Sequence, residues 1–370
     1  HLELIADLLP EGHSALNILA ASYLELGQAK EAKEVLARIA PESHSYQNLL
    51  SRTGFELLND GYSLEARELI SDNSSYTTDI AADQRARLGA LKLSLQDVSG
   101  LLDIESAVDN MSDKEIGYRV LASSYVRLQE KEKALSLAEK WQKEFPDSFE
   151  PWLLKGELAL HSRELEVAKS AFAQAIKLAP NEPRALISQV NLAILQQDFA
   201  SAITESEALL TRFNDNIALL RMNYALRKRH SSDNDLLGHT KRAYATNPAP
   251  DIAMVLVEMH IAEQDFTAAL ALLEQTDDIE TAANYWLLKA QTLVSLHKSD
   301  ALMTHFKSWL VEEPNNGFAM AGALLIFDER KEYVAGLNFL EQYPEQLQRG
   351  QIQLLKAKFL VLTGRALEAR

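Results

Sequence analysis

The chain has 370 residues, of which 47% are hydrophobic and 24% charged, so it is long enough to bury a sizeable core. Its 53 acidic and 37 basic residues give a net charge of −16, which disfavours binding to nucleic acid or to an anionic membrane, since both attract Lys and Arg. The absence of cysteine excludes disulfides and Cys-ligated zinc, and the low content of Gly (14) and Pro (10) favours helices over strands.

A period of about 34 residues runs along the chain. Five prolines mark this period: Pro10, Pro146, Pro180, Pro248 and Pro314. The distance between successive prolines in this set is always a multiple of 33 or 34 residues. Small residues keep the same phase in a second column, which holds Ala32, Ala66, Ala134, Ala168 and Ala202. The predicted elements are therefore tandem pairs of helices, in ten repeats: 13–46, 47–80, 81–114, 115–148, 149–182, 183–216, 217–249, 250–282, 283–316 and 317–349.

Both termini of the sequence interrupt this period. Residues 1–12 are predicted to be the end of a truncated repeat, and residues 350–370 the first helix of a further truncated repeat. Arrays of this kind normally end in repeats with a polar outer face, and neither end has one. This pattern indicates end-to-end self-association through the uncapped ends.

Two places in the array depart from the regular pattern. Repeat 81–114 is predicted to be the weakest, because it puts Gly89 and Gly100 inside its helices at a cost of roughly 1 kcal/mol each. Residues 231–235 are predicted to form a wider loop between two helices.

The clearest repeat is the stretch 150–183, EPWLLKGELALHSRELEVAKSAFAQAIKLAPNEP. Its key positions are Trp152, Gly156, Ala168, Phe172, Ala175 and Pro180. Gly156 and Ala168 are small enough for two helices to approach closely, and Pro180 ends the second helix because it lacks an N–H.

At these positions the sequence resembles the tetratricopeptide-repeat family. Ala159 stands where a Tyr is usual, but Tyr23 and Tyr125 supply that Tyr in other repeats. The resemblance covers essentially the whole chain. It implies an all-α fold, a right-handed superhelical solenoid of antiparallel helix pairs.

The resemblance also implies a concave groove lined by positions 2, 5, 9 and 12 of each repeat. Repeat 149–182 places Leu153 in the groove beside its neighbour Glu150. The residues predicted to line a partner-binding groove are Arg119, Ser123, Glu157, Arg184, Ile187, Asn191, Arg221 and Lys228. A groove of mixed polarity suits an extended peptide or protein partner, whose backbone needs hydrogen bonds and whose side chains need pockets.

Two more specific interpretations of the groove are a carboxylate clamp and a basic strip. Family members that grip a C-terminal carboxylate use a Lys/Asn/Asn/Lys/Arg clamp, which is absent here because Ile187 and Met222 occupy two of its places. The stretch RMNYALRKRH (221–230) carries four basic residues and no acid. Its cations either complement a helix dipole or, together with Arg184 and Asn191, form a basic strip that recognises an acidic partner.

The sequence carries no nucleotide-binding or hydrolase motif, and we predict no catalytic residue, no metal and no cofactor. His297 and His305 are eight residues apart and would share a helix face, but no third ligand lies near them. Glu312 and Glu313 are more consistent with a solvated helix face than with a glycosidase pair. The four tryptophans fall on columns of the repeat core: Trp141, Trp152, Trp286 and Trp309.

The sequence therefore favours a non-catalytic scaffold that binds a protein or peptide partner, with no nucleic acid and no membrane span. Its Ala/Leu-rich texture also resembles long bacterial envelope proteins of this family, including lipoprotein-type members linked to exopolysaccharide secretion and PEP-CTERM sorting. The alternatives are a cytoplasmic adaptor and, least favoured, a helical carbohydrate-active enzyme. A periplasmic or envelope location is favoured over a cytoplasmic one.

Overall fold

A computed structural model describes residues 8–43, 45–73, 80–232, 235–282, 284–348 and 350–369. These residues form 21 α-helices and no β-strand, as the all-α prediction requires. They pack into two compact units, His1–Leu192 and Ala193–Arg370. The predicted element before Pro10 falls largely on residues 1–7, outside the described residues.

The first unit contains α1 to α10 and most of α11. Its helices are α1 (Ser14–Glu25), α2 (Ala29–Leu36), α3 (Tyr46–Asn59), α4 (Ser63–Asp72), α5 (Ala82–Ser94), α6 (Gly100–Ala107), α7 (Lys114–Arg127), α8 (Lys131–Glu144), α9 (Glu150–His161), α10 (Leu165–Leu178) and α11 (Pro183–Leu195). The odd-numbered helices are the first helices of the pairs and the even-numbered ones are the second helices.

The second unit continues the same alternation. Its helices are α12 (Phe199–Leu210), α13 (Ile217–His230), α14 (Gly238–Thr246), α15 (Pro250–Ala262), α16 (Phe266–Gln275), α17 (Tyr285–Ser295), α18 (Ser299–Glu312), α19 (Gly317–Glu329), α20 (Tyr333–Leu340) and α21 (Gly350–Leu362). A short 3₁₀ helix, Ala366–Ala369, follows α21. Each of the ten predicted intervals holds one helix pair, while the division of the chain into repeats and flanking pieces remains a prediction.

A left-handed residue closes ten of the eleven first helices, five in each unit. These residues are Gly27, Gly61, Gln96, Gln129, Arg163, Gln197, Gln264, His297, Lys331 and Gly364. The next N–H in each turn donates back to a carbonyl five residues earlier, as Glu130 does to Tyr125 at 2.9 Å. This bond satisfies a carbonyl that the end of the helix would otherwise leave unpaired.

The exception is the turn after α13. Ser231 has an extended backbone, and the described part of the connection runs to Gly238, where α14 begins. The loop predicted over residues 231–235 includes residues 233 and 234, which lie outside the described residues, so its width remains a prediction.

The signature residues of repeat 149–182 meet inside the pair α9 and α10. Phe172, Ala168 and Ala175 are buried in one cluster, and Trp152 packs against it. A Cβ added to Gly156 would lie 2.3 Å from the Phe172 ring, so the glycine makes room for this ring. The sequence predicted a small residue here for close approach of the helices, whereas the contact it permits is with a side chain.

Gly89 and Gly100 mark the closest approach of α5 and α6. A Cβ added to Gly89 would lie 2.5 Å from the Gly100 carbonyl oxygen, and one added to Gly100 would lie 2.2 Å from the Gly89 oxygen. The two glycines are therefore a contact between helix backbones. The sequence weighed their propensity cost alone and missed this packing role.

Candidate partner-binding face

Helix α7 shows how a first helix is exposed. Neighbouring helices bury most of its surface, and the exposed side chains up to position 126 lie three or four residues apart: Ile116, Arg119, Ser123 and Val126. Such spacing defines one face of an α-helix. We call this face of a first helix the open stripe.

An ion-pair ladder joins the open stripes of α7, α9 and α11 in the first unit. Arg184 Nη1 donates to both Glu150 carboxylate oxygens, at 3.1 and 3.2 Å, and Arg119 Nε lies 3.8 Å from Glu150 Oε1. The Glu150 side chain is only 13% exposed, whereas both arginines are at least half exposed. One central carboxylate therefore holds two cations that still face solvent.

Glu157 lies on the same helix as Glu150, seven residues further along. Its surface is exposed, yet the surrounding protein removes enough water to raise the pKa of the carboxyl; the charge of Arg184 opposes this rise and that of Glu150 adds to it. Desolvation disfavours the charged form of a carboxyl group, and a nearby positive charge favours it. Glu157 is thus an accessible carboxylate that gains from a cationic partner.

The other predicted groove residues of this unit divide by exposure. Ser123 is exposed on α7, and Ile187 and Asn191 are half-buried on α11. Leu153, which the repeat positions assigned to the groove floor, is only 1% exposed and lies in the core cluster of α9 and α10. That assignment is wrong, because α9 turns Leu153 toward its own second helix.

In the second unit, Arg221 and Lys228 lie on the open stripe of α13 and are both ion-paired. Arg221 donates from Nε and Nη2 to the two carboxylate oxygens of Glu258, each at 2.8 Å. Lys228 Nζ lies 2.9 Å from Glu263 Oε1 and donates to the Ala262 carbonyl at 2.9 Å. The acidic partners come from α15 and the turn after it.

The predicted basic strip is therefore not a row of free cations. Arg184, Arg221 and Lys228 each have an acid at ion-pair distance. Arg184 and Asn191 also belong to the first unit, whereas the other two residues belong to the second. Basic residues do fill the last turn of α13, so complementing the helix dipole remains a sufficient reason for them.

Glu258 and Glu263 pair with the predicted groove residues Arg221 and Lys228, and the sequence interpretation missed both acids. Extending the groove positions to repeat 250–282 places Glu258 at position 9, so the signal was available. Glu263 lies in a turn, outside any periodic position, and only the fold brings it to Lys228.

The prediction that His297 and His305 share a helix face is wrong. His297 lies in the left-handed turn before α18, whereas His305 is buried within α18 at 2.8 Å from the Trp286 carbonyl oxygen. Burial lowers the pKa of His305, while the bond to Trp286 opposes that change. No cluster of three His, Cys, Asp or Glu side chains suited to a metal occurs within the described ranges.

The remaining chemical candidates are structural. Glu312 and Glu313 are both exposed at the end of α18, where Glu313 accepts a hydrogen bond from the Asn316 amide at 2.7 Å. Trp141 and Trp309 are buried, and Trp152 and Trp286 pack against core clusters, as predicted. Among the helices that the structure describes, none is both long and apolar enough to cross a membrane.

Comparisons with known proteins identified solved structures only. No protein-family model matches the sequence, and no curated protein matches it. Yeast Tom70 is similar over 95% of this chain and 88% of its own, with 14% identity and a TM-score of 0.46.

Two bacterial structures are similar at the same level. A tetratricopeptide-repeat protein from Parabacteroides merdae aligns over 75% of this chain and 98% of its own (16% identity, TM-score 0.37). The C-terminal part of a repeat protein from Cytophaga hutchinsonii aligns over 63% and 96% (16% identity, TM-score 0.41). The chain itself folds as tandem helix pairs whose left-handed turns recur every 33 to 35 residues, except after α13; this is the helix-pair fold of those tetratricopeptide-repeat structures.

Proposed function

We propose that the chain is a non-catalytic scaffold that binds an extended segment of a protein partner along the open stripes of α7, α9 and α11. The observation that carries this proposal is the ladder of Arg119, Glu150 and Arg184, with the exposed carboxylate of Glu157 seven residues beyond Glu150 on the same helix. A bound Lys or Arg side chain would pair with the Glu157 carboxylate. Asn191 and Arg184 lie on the neighbouring helix and supply donors for the backbone of the segment.

The ladder of Arg119, Glu150 and Arg184 gives this face both signs of charge in a fixed order. A partner segment that offers a cation to Glu157 and an acceptor to Arg184 complements it in one direction only. Charge order of this kind contributes more to specificity and orientation than to raw affinity. The proposed partner is therefore an extended peptide with at least one basic residue.

The test is selection from a displayed peptide library on the 370-residue chain, followed by affinity measurements with purified variants. We expect selected peptides to contain Lys or Arg and to lose about tenfold in affinity with Glu157→Gln or Arg184→Ala. Glu166→Gln and Lys169→Ala on the exposed surface of α10 are matched controls and should leave binding unchanged. Equal binding by all four variants would contradict the proposal.

The cellular setting is a separate part of the proposal. The Ala/Leu-rich texture supports a bacterial envelope role, in which the scaffold assembles part of an exopolysaccharide-secretion machine; a cytoplasmic adaptor is the alternative. Fractionation of source cells with an antibody to this chain separates them. Recovery of the chain in the cytoplasmic fraction alone would contradict the envelope role and favour the cytoplasmic adaptor.

A further inference from the structure

Large apolar side chains dominate the open stripes of the last three first helices. They are Leu287 and Val294 on α17, Phe318 and Leu325 on α19, and Leu354 and Val361 on α21. Their exposed fractions run from 45% for Leu287 to 74% for Leu354. The two members of each pair are seven residues apart, about 10.5 Å along one helix face. We call these six residues the apolar face.

Contacts between helices hold this face together. Lys358 on α21 donates to Asp328 on α19 at 2.6 Å, so the open stripes of these two helices adjoin. The Phe318 ring rests against Trp309 of α18, with ring centroids 5.7 Å apart. Trp309 in turn stacks on Trp286 of α17 at 5.9 Å. The three first helices therefore share one supporting layer.

The exposure of the apolar pair on α17 is not an effect of the last helix. Leu287 and Val294 on α17 are exposed although α19 and α21 follow them in the chain. In the same unit, the open stripe of α13 carries Arg221 and Lys228. An apolar residue on an open stripe is thus a local feature of the sequence, and a group of exposed large apolar side chains marks an interaction site.

The acidic charge at one edge of the apolar face favours a basic partner. The face itself is neutral, since Asp328 and Lys358 pair with each other and the polar neighbour on α17 is the amide Gln291. Exposed acids precede the first helices at one edge: Asp277, Asp278 and Glu280 before α17, and Glu312 and Glu313 before α19. Glu313 bonds to Asn316, the N-cap of α19, which places the carboxylate next to the turn that carries Phe318. The complementary occupant is apolar with a basic flank.

The backbone of the occupant also matters. An extended segment needs hydrogen-bond partners along its length. Among the described residues this face offers few: the exposed amides Gln291 and Gln351, and the Asp328–Lys358 pair, whose charges already bond to each other. An α-helix satisfies its own backbone and presents an apolar stripe at positions i, i+3, i+4 and i+7. We propose that the apolar face docks a basic amphipathic helix of a partner protein, an apolar stripe flanked by Lys and Arg. This second surface extends the proposed scaffold function and has its own test.

The probe is a synthetic, end-capped amphipathic helix of about 18 residues, enough to cross three helices spaced roughly 10 Å apart. It has a Leu stripe flanked by Lys; matched peptides carry Glu in place of Lys, or the same composition in scrambled order. Binding to the 370-residue chain is measured by fluorescence anisotropy. We expect the Lys helix to bind at least about tenfold tighter than both matched peptides.

Variants then locate the site. Leu325→Ser combined with Leu354→Ser should weaken the Lys helix at least about tenfold, while circular dichroism stays unchanged because both side chains are exposed. Val311→Ser and Val334→Ser, which remove equally exposed apolar groups from the second helices α18 and α20, should have no effect. Glu157→Gln should also leave binding of the Lys helix unchanged. The apolar-face proposal can therefore fail independently of the peptide-binding proposal for α7, α9 and α11.

Three results would overturn the inference. The first is equal binding of the Lys helix and the scrambled peptide, and the second is equal binding of the Lys and Glu helices. The third is a concentration-dependent dimer in sedimentation equilibrium that the Leu325→Ser, Leu354→Ser variant abolishes, since the occupant would then be a second copy of the chain.

Discussion

At the scale of single residues, the two glycines where α5 and α6 meet show that steric space can outweigh helix propensity. Alanine is the better helix former by about 1 kcal/mol, so propensity alone predicts that Gly89→Ala stabilises the fold. The added Cβ would instead meet the Gly100 carbonyl oxygen at 2.5 Å, and a backbone atom cannot rotate away. We expect Gly89→Ala to lower the free energy of unfolding by about 1–3 kcal/mol.

Urea unfolding of the variant measures this change. Gly350→Ala is the matched control, because no atom lies within 4 Å of the added Cβ there. We expect it to be neutral or slightly stabilising. A Gly89→Ala variant as stable as the parent chain would show that the two helices can separate without cost.

Glu157 makes a prediction about pH. Its folded pKa is raised above the ordinary value, chiefly because the protein desolvates the carboxyl, so the ionised form is disfavoured in the fold. The resulting penalty is complete above the folded pKa and vanishes below the unfolded one. Because the side chain is exposed, we expect Glu157→Gln to stabilise the fold at neutral pH by only a few tenths of a kcal/mol.

The measurement is the thermal midpoint of parent and variant between about pH 3 and pH 7. The two curves should converge at the acid end. A gain that is constant with pH would mean that Gln improves packing and that the charge of Glu157 plays no part.

At the scale of elements, the left-handed turns between paired helices are the most regular feature of the fold. Most of them cannot be recognised from the local sequence. A glycine indicates the left-handed residue at Gly27, Gly61 and Gly364. Gln129 and Gln197 adopt the same backbone conformation without any local sequence signal. The period predicted the helix pairs, because apolar columns reflect packing along the whole array. It did not predict the left-handed turns, because the constraint acts on the backbone and tolerates a polar side chain.

These turns give a reciprocal pair of mutations. Gln129 has a φ of 60°, which costs a residue with a Cβ about 1 kcal/mol or more, so Gln129→Gly should stabilise the fold by roughly 1 kcal/mol. Gly27→Gln should destabilise it by a similar amount, and no neighbouring atom lies within 4 Å to complicate the result. Thermal unfolding of both variants provides the check. Changes of the same sign would rule out backbone strain as the cause.

The open stripes show the limit of position-based prediction. The groove positions that the family resemblance implies include Arg119, Ser123 and Glu157, and all three are exposed. The same rule failed for Leu153, which is buried, and it could not reveal that Arg221 and Lys228 are already ion-paired. Pairing between neighbouring helices depends on rotamers and helix spacing, which no single repeat encodes.

At the scale of the whole molecule, a net charge of −16 draws basic partners toward the chain. Because salt screens such attraction, raising sodium chloride from about 0.05 M to about 0.5 M should slow association of the Lys helix by tenfold or more and change its dissociation little. Stopped-flow fluorescence separates the two rates. An association rate independent of salt would mean that the acidic edge near Glu313 does not contribute to recognition.

The central claim is that a partner segment lies along the open stripes of the first helices. The most direct test is photo-crosslinking with a selected peptide and a photoreactive residue placed either at Ser123, on the open stripe of α7, or at Lys169, on the second helix α10. We predict a crosslinked product from position 123 and none from position 169. Crosslinking from position 169 alone would place the partner on the second helices and contradict the claim.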